Sequence, residues 1–468
     1  RAQHVAISDL TLQAGPHSID MTGTADYVLG EGVDLTSVAF DLKAGKTTTE
    51  IPGFFEGPVT FDDIHLIGTL DLVNRNIDVK EAVLVVAGGK ITASGIVGEG
   101  ARSPALKARA TIGTIPLSHK SREWVVKNLK DGELVGAEFS IDVPADMLAD
   151  NEEKHIPIPD GGLVFDFNVR GVTAQYLHGM PPLTNVVARG LVGNNRFDAW
   201  VSSGQVTVAP DQVLNVTKGH FADTSLSTKG TIGEIEFMAT GKTAHILALI
   251  DHEPLNLLHK FGMDPQTIGG EGIVNAALRL PLLKDVTMDQ IDFFGTAHAE
   301  NVSIPDIQPN LSITSGTLDI DIKRSGLVAK GVVGLNGTPP LDIVWSESFV
   351  KGSKAGTSYH LTGSLDNAAR NAIGLKFDKF VDGPSIIDAT LTGSGSKIDA
   401  AKIHADLTGA TVMLDYLGWV KPVGQAVEGS VDLAFNDNSY DFSNFKLTGA
   451  GTQAGGEFVM NKSWDWMS

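Results

Sequence analysis

Cysteine is absent from all 468 residues. That excludes disulfides, thiolate zinc sites, cysteine-ligated iron–sulfur clusters and thiol catalysis together. The absence suits a bacterial periplasmic protein, and many cytosolic proteins as well. Long hydrophobic runs are missing too. The longest, Ala82–Ala87 and Ile246–Ile250, extend about five residues against the roughly 20 that span a bilayer. Positive charge is scarce: 36 Lys and Arg face 56 Asp and Glu, for a net charge of −20. Nucleic-acid affinity comes largely from Lys and Arg on phosphates, so this is a poor nucleic-acid binder. An anionic membrane surface would repel it. No leader-type pattern precedes Arg1 and no Met begins the chain, which reads as an excised or processed segment whose anchor lies outside it.

What is present is ordered and rich in glycine. Hydrophobic residues make up 42% and charged residues 20%, unlike a disordered chain. The 52 glycines suit many tight turns and bulges. The dominant pattern is period-two alternation. Val38, Phe40 and Leu42 alternate with small or charged residues, as do Phe165, Phe167 and Val169, Leu318, Ile320 and Ile322, and Val431, Leu433 and Phe435. Each run has one apolar and one wet face, as in antiparallel sheet. Turn sequences separate the runs: Asn74-Arg75-Asn76, Gly88-Gly89, Asn194-Asn195, Asn336-Gly337 and Asp437-Asn438. Their spacing of 8–12 residues predicts a long meander of hairpins.

Helical signals are few. Pro116–Lys130 reads as a helix with Ser121 as N-cap, and Pro254–Phe261 as a second with Pro at its start and Gly262 past its end. Asp366–Leu375 is a third, capped by Asp366, and Thr411–Val420 a fourth. Asp146–Gly162 is polar, Pro-bearing and Gly-ended, and reads as a loop. A faint repeat lays the 105–144 stretch over 237–281, with a weaker copy from 361. The expected organisation is one continuous body of four repeats, 1–115, 116–243, 244–365 and 366–468, the last three each carrying a helix.

Patterns that carry chemistry dissolve on inspection. His245, His252 and His259 are seven apart, so on one helix neighbours would lie about 10.5 Å apart along the axis, too far for one metal. Gly269-Gly270-Glu271-Gly272 and Gly449-Ala450-Gly451 miss phosphate-loop spacing and read as turns. Gly393-Ser394-Gly395-Ser396 is too short for a nucleophile elbow. The acidic pairs Asp62-Asp63, Glu152-Glu153 and Asp319/Asp321 arise readily among 56 acids, and the last reads as the wet face of a strand. Asn436-Asp437-Asn438 with Asp441 lacks the Gly and terminal Glu of a calcium loop. The chain therefore reads as a non-enzyme with no cofactor and no metal.

A long sheet with one apolar face cannot leave that face in water. It closes into a sandwich, takes a cover of helices, or curls round an apolar ligand, and few helices are available. Two segments then look familiar. One is Arg122-Glu123-Trp124-Val125-Val126-Lys127-Asn128-Leu129-Lys130-Asp131-Gly132-Glu133-Leu134-Val135-Gly136-Ala137. The other is Leu249-Ile250-Asp251-His252-Glu253-Pro254-Leu255-Asn256-Leu257-Leu258, followed by Gly269-Gly270-Glu271-Gly272 and Leu280-Pro281-Leu282-Leu283. These resemble the AsmA-like superfamily of bacterial envelope proteins, YhdP branch, best over about Leu106–Asp306. In style the chain is also similar to the TamB type.

That resemblance implies a mainly β fold: an elongated, twisted antiparallel β-groove with a few short helices. It implies the periplasm of a Gram-negative bacterium and an inner-membrane anchor outside this sequence. It further implies bridge-like transfer of phospholipid, or another acyl lipid, between inner and outer membranes, with membrane proteins as partners at the ends. The expected groove residues are Val38, Phe40, Leu42, Phe165, Phe167, Val169, Leu318, Ile320, Ile322, Val431, Leu433 and Phe435, which would equally fill a sandwich core. Two rivals stand beside this reading. One is an envelope assembly factor that binds an outer-membrane partner through exposed strand edges. The other, a carbohydrate-active β-helix enzyme, needs a rung repeat and clustered carboxylates that the sequence lacks.

Overall fold

The computed structural model describes residues 3–14, 17–32, 34–49, 59–86, 88–116, 129–154, 156–176, 179–193, 195–226, 230–253, 264–283, 286–287, 290–308, 310–350, 356–394, 397–414, 418–449, 451–463 and 467. The fold is mainly β and antiparallel, with a few short helices. The chain divides into two units. One comprises Arg1–Thr207, Asn215–Phe237 and Arg279–Ile291; the other comprises Val208–Leu214, Met238–Leu278 and Asp292–Ser468.

In each unit successive strands pair as neighbours, which is the expected meander. In the first unit the ladder runs from Gln3–Ala14 through Leu35–Ala44, Asp63–Asp71 and Glu133–Val143 to Leu163–Ala174, Leu183–Gly193 and Arg196–Ala209. In the second it runs from Asp292–Gln308 through Leu311–Lys323, Leu341–Ser348, Thr357–Leu365 and Val427–Phe435 to Thr452–Asn461. The turn residues do what their chemistry allows. Asn336 and Gly337 take φ of 49° and 80°, the left-handed pair that a tight hairpin between right-twisted strands requires. Asn185 and Asn444 take φ of 53° inside strands, each at a shift of register, and such bulges bend and twist a sheet.

Small elements cover one end of the apolar faces. In the first unit the hairpin Thr47–Thr49/Val59–Phe61 places Phe61, 5% exposed, against Met21, Leu42 and Ile64. In the second the helix Asn367–Ala372 sets Ala369 against Leu318, Leu341 and Leu365. Beside it a three-stranded sheet, Val381–Asp382, Thr411–Leu414 and Trp419–Lys421, packs on Leu407, Val427 and Leu447. Both second-unit covers are held by a buried cation. Arg370 donates to the carbonyls of Leu365 (2.8 Å), Gly383 (2.9 Å) and Val381 (2.9 Å). Lys421 donates to those of Leu407 (2.5 Å), Ala410 (2.6 Å) and Thr408 (3.2 Å). Burial pushes the pKa of both cations down.

The helix expectations meet mixed outcomes. Asp366 caps its helix as expected, accepting from the Ala369 N–H at 2.8 Å. Most of Pro116–Lys130 and all of Pro254–Phe261 lie outside the described residues, and Pro116, Leu129 and Lys130 are in short strands. Thr411–Val420 is not a helix. Its ends pair as antiparallel strands, Leu414 opposite Trp419, and Gly418 takes φ of 58° between them. The 146–162 stretch is not simply a loop, since Met147–Lys154 is helical. Asp146 precedes that helix and accepts from the backbone N–H groups of Arg102 (2.6 Å) and Ser103 (3.1 Å), which draw its pKa down. A further helix, Thr243–Ile250, occupies the apolar run that the repeat alignment reads without one. Among the described residues no helix is long and apolar enough to cross a membrane.

Candidate functional site

Register turns the period-two pattern into continuous apolar rows, because residues directly opposite on antiparallel strands share a face. In the first unit one row crosses eleven strands: Ile7, Gly23, Leu42, Leu66, Ala82, Ala93, Ala110, Phe139, Phe165, Val192 and Phe197. In the second a row crosses ten: Ala297, Ile320, Ala329, Trp345, Tyr359, Leu391, Ala401, Leu433, Phe442 and Phe458. Neither row contains a charged residue.

The expected groove residues fall on these rows or beside them. Leu42 and Phe165 share the first-unit row. Phe40 and Phe167 belong to the rows on either side of it, Phe40 through Gly68 and Phe167 through Ala137. Val38 lies opposite Leu70, and Val169 lies opposite Ala188. In the second unit Ile320 and Leu433 share a row, and Leu318 and Val431 share the next, through Gly331, Ile343, Leu361, Ala389 and Ile403. Ile322 and Phe435 flank them, opposite Leu327 and Tyr440. In each strand exposure is graded. Leu42, Val169, Leu318 and Leu433 are buried, while Val38, Phe40, Phe165, Phe167, Ile320, Ile322, Val431 and Phe435 are half-buried.

Aromatic rings lie along this face. Phe167 stacks between Phe165 (5.0 Å) and Phe197 (6.5 Å), and Phe442 stacks on Phe458 (4.5 Å). Two rings lie over glycines of the next strand. A Cβ on Gly190 would sit 2.2 Å from Phe167 Cζ, and one on Gly68 would sit 2.5 Å from Phe40 Cζ. Only glycine lets the rings lie so close to the sheet.

The opposite face is wet and paired. Arg189 meets Asp166 (2.5 Å), His298 meets Asp319 (2.7 Å), His65 meets Asp41 (2.7 Å) and His360 meets Asp388 (2.9 Å). The Asp319 and Glu300 carboxylates hold the His298 imidazole above its ordinary pKa. The sequence offers no sign of which cations are buried, so Arg370 and Lys421 go unread there.

The other patterns resolve as architecture. Gly269-Gly270-Glu271-Gly272 is not a turn but the start of the strand Gly269–Pro281. Asn436 closes a hairpin, its N–H donating to the Ser439 carbonyl. His245 and His252 each bond a backbone carbonyl, and His259 lies outside the described residues. Among the described residues no cluster of His, Asp and Glu forms a metal site.

One polar pair interrupts the apolar face of the second unit. Glu347 follows Trp345 by two residues and so shares its face. It lies opposite Thr357, whose hydroxyl donates to Glu347 Oε2 at 2.7 Å. Trp345 and Tyr359 stack beside them at 6.0 Å. Burial, then the Glu347 charge, pushes the Tyr359 phenol up to about 12. The alternation Trp345-Ser346-Glu347 carries this signal in the sequence. No family model, curated protein or solved structure matches the chain.

Proposed function

We propose that this chain is a periplasmic segment of a bridge-like lipid transfer protein of the AsmA-like type, a non-enzyme that carries phospholipid acyl chains between inner and outer membranes of a Gram-negative bacterium. The tails lie on the apolar rows and the head groups stay in water. Sliding is fast because apolar contact is non-directional.

The observation that supports this reading is the continuity of the rows together with their partial exposure. With strands about 4.8 Å apart, ten strands carry a row for about 43 Å and eleven for about 48 Å. One leaflet's acyl layer is about 15 Å deep, half of a bilayer core. Each row is therefore about three tails long, without a charge to stop one. Half-buried Phe165, Phe167, Ile320 and Val431 retain apolar surface for a tail to cover.

The test is mass spectrometry of lipid extracted from the full chain purified without detergent. Stoichiometric phospholipid is expected, and a folded Phe167→Asp variant should carry less. A well-folded, lipid-free chain would overturn the proposal. A second reading has its own observation. Among the described residues Gln3–Ala14 pairs only with His17–Leu29, and Thr452–Asn461 only with Ser439–Gly449, so each offers an edge for strand addition. A lipid-free chain that forms a stable complex with an outer-membrane protein supports that envelope-assembly role instead.

A further inference from the structure

We propose that Glu347, with Trp345 and Tyr359 beside it, selects phospholipids whose head group carries an ammonium. This rests on the lipid-carrying reading and adds a choice of cargo to it. Three adjacent rows of the second unit pass through Ile343, Trp345 and Glu347, and Glu347 is the only Asp, Glu, Lys, Arg or His in any of them. A carboxylate on an apolar face is costly unless something compensates its charge. It accepts from a neutral hydroxyl, that of Thr357. Among the described residues no Lys, Arg or His forms an ion pair with it.

Position gives the charge its role. Leu341, at the start of the same strand, is 1% exposed and packs with Ala369 of the covering helix. Glu347 is six residues further on, about 20 Å along an extended strand. It is half-buried toward the opposite rim of the sheet, level with Thr357, which is 1% exposed, and there the Ser348 N–H donates to the Gly356 carbonyl at 2.7 Å. A tail directed toward the covered end leaves its head group at this rim. There the carboxylate meets a cation, and the Trp345–Tyr359 pair, stacked at 6.0 Å, adds aromatic surface that attracts the same cation. An ethanolamine-type head group satisfies both. A glycerol head group supplies no cation and brings its phosphate charge toward a carboxylate.

The full chain, wild type and Glu347→Gln, is incubated with vesicles of equimolar phosphatidylethanolamine and phosphatidylglycerol, re-isolated, and its lipid quantified by mass spectrometry. The wild type should enrich phosphatidylethanolamine roughly two- to five-fold, the scale of a partly exposed ion pair or cation–π contact. Glu347→Gln keeps an acceptor oxygen for Thr357 and should carry its lipid at the vesicle ratio, while Glu347→Asp should keep part of the preference. Should the Gln variant misfold, Trp345→Leu replaces it, with a partial loss of preference expected. Equal ratios in wild type and folded variant overturn this proposal and leave lipid carriage standing. No lipid in either overturns lipid carriage, and this inference with it.

Discussion

Replacing Gly190 by alanine should destabilise the first unit, against the usual gain from removing a strand glycine. The added Cβ would lie 2.2 Å from Phe167 Cζ and 2.6 Å from Cε1 and Cε2. Carbon atoms prefer about 3.5 Å, so the ring must withdraw by about 1.3 Å. Phe167 is stacked between Phe165 at 5.0 Å and Phe197 at 6.5 Å, so withdrawal disturbs both contacts, worth about 0.5–1.5 kcal/mol each. Overpacking of this kind costs about 1–3 kcal/mol. Loss of glycine flexibility returns about 0.5–1 kcal/mol. The expected net is a loss of about 1–2 kcal/mol. Phe167→Leu removes the ring and should make Gly190→Ala neutral or favourable in its background. The coupling in the double-mutant cycle is then about 1–2 kcal/mol, read from urea midpoints followed by near-UV circular dichroism. A stabilising Gly190→Ala in the native background, or additive single effects, would show that the ring does not lie on the glycine.

Two further tests address the buried and the exposed cations. Lys421→Met leaves the carbonyls of Leu407, Thr408 and Ala410 without their donor and should cost about 2 kcal/mol, after allowing for the relieved burial of a charge; an unchanged melting temperature refutes it. Because burial lowers this lysine's pKa from 10.5, its penalty on folding is full at neutral pH and fades as pH rises through the folded value toward 10.5. His298 behaves oppositely: its pKa is raised from 6.5, first by the Asp319 hydrogen bond and then by Glu300. Its contribution to stability is fully present below pH 6.5 and disappears as pH rises through the raised value. Asp319→Asn should bring the imidazole back toward 6.5 in an NMR titration, and a native value at or below 6.5 contradicts the pairing.

The strands were legible because burial on one face writes a period of two into the residues themselves. Phe165, Phe167 and Val169 show it, and so do Leu318, Ile320 and Ile322. Short helices escaped for the opposite reason. Met147–Lys154 is polar with no buried side chain, so it writes no apolar stripe, and Thr243–Ile250 is apolar nearly all round. Thr411–Val420 misled because Met413, Leu414 and Leu417 imitate helical spacing, whereas Gly418 at φ 58° lets the chain reverse and the strands pair. The rows depend on register across the sheet. No local window places Leu42 level with Phe165, since seven strands and their bulges set that alignment. Likewise nothing local separates Lys421 and Arg370 from the other 34 Lys and Arg; their burial follows from the covers they hold.

The covers bear on whether the apolar face is a closed core or a seat for something else. A sandwich buries its inner residues along the length of each strand, because a second sheet lies over them all. Here burial alternates along the strand, with half-buried apolar positions between buried ones. Leu341 is 1% exposed where the helix lies on it, Trp345 and Glu347, further along the same face, are half-buried, and Thr357 opposite Glu347 is again 1% exposed. Over the strands from Leu311 to Asn461 the described cover is the helix Asn367–Ala372 and a three-stranded sheet, fixed by Arg370 and Lys421 through carbonyls. Fixing so small a cover with two buried cations is costly, and a second sheet would bury more apolar surface without that cost. The half-buried rows between the buried positions keep apolar surface that a further apolar group can cover. On the lipid-carrying proposal, a tail lying on the half-buried rows would gain about 25 cal/mol for each Å² of apolar surface it covers, and Glu347 would meet its head group.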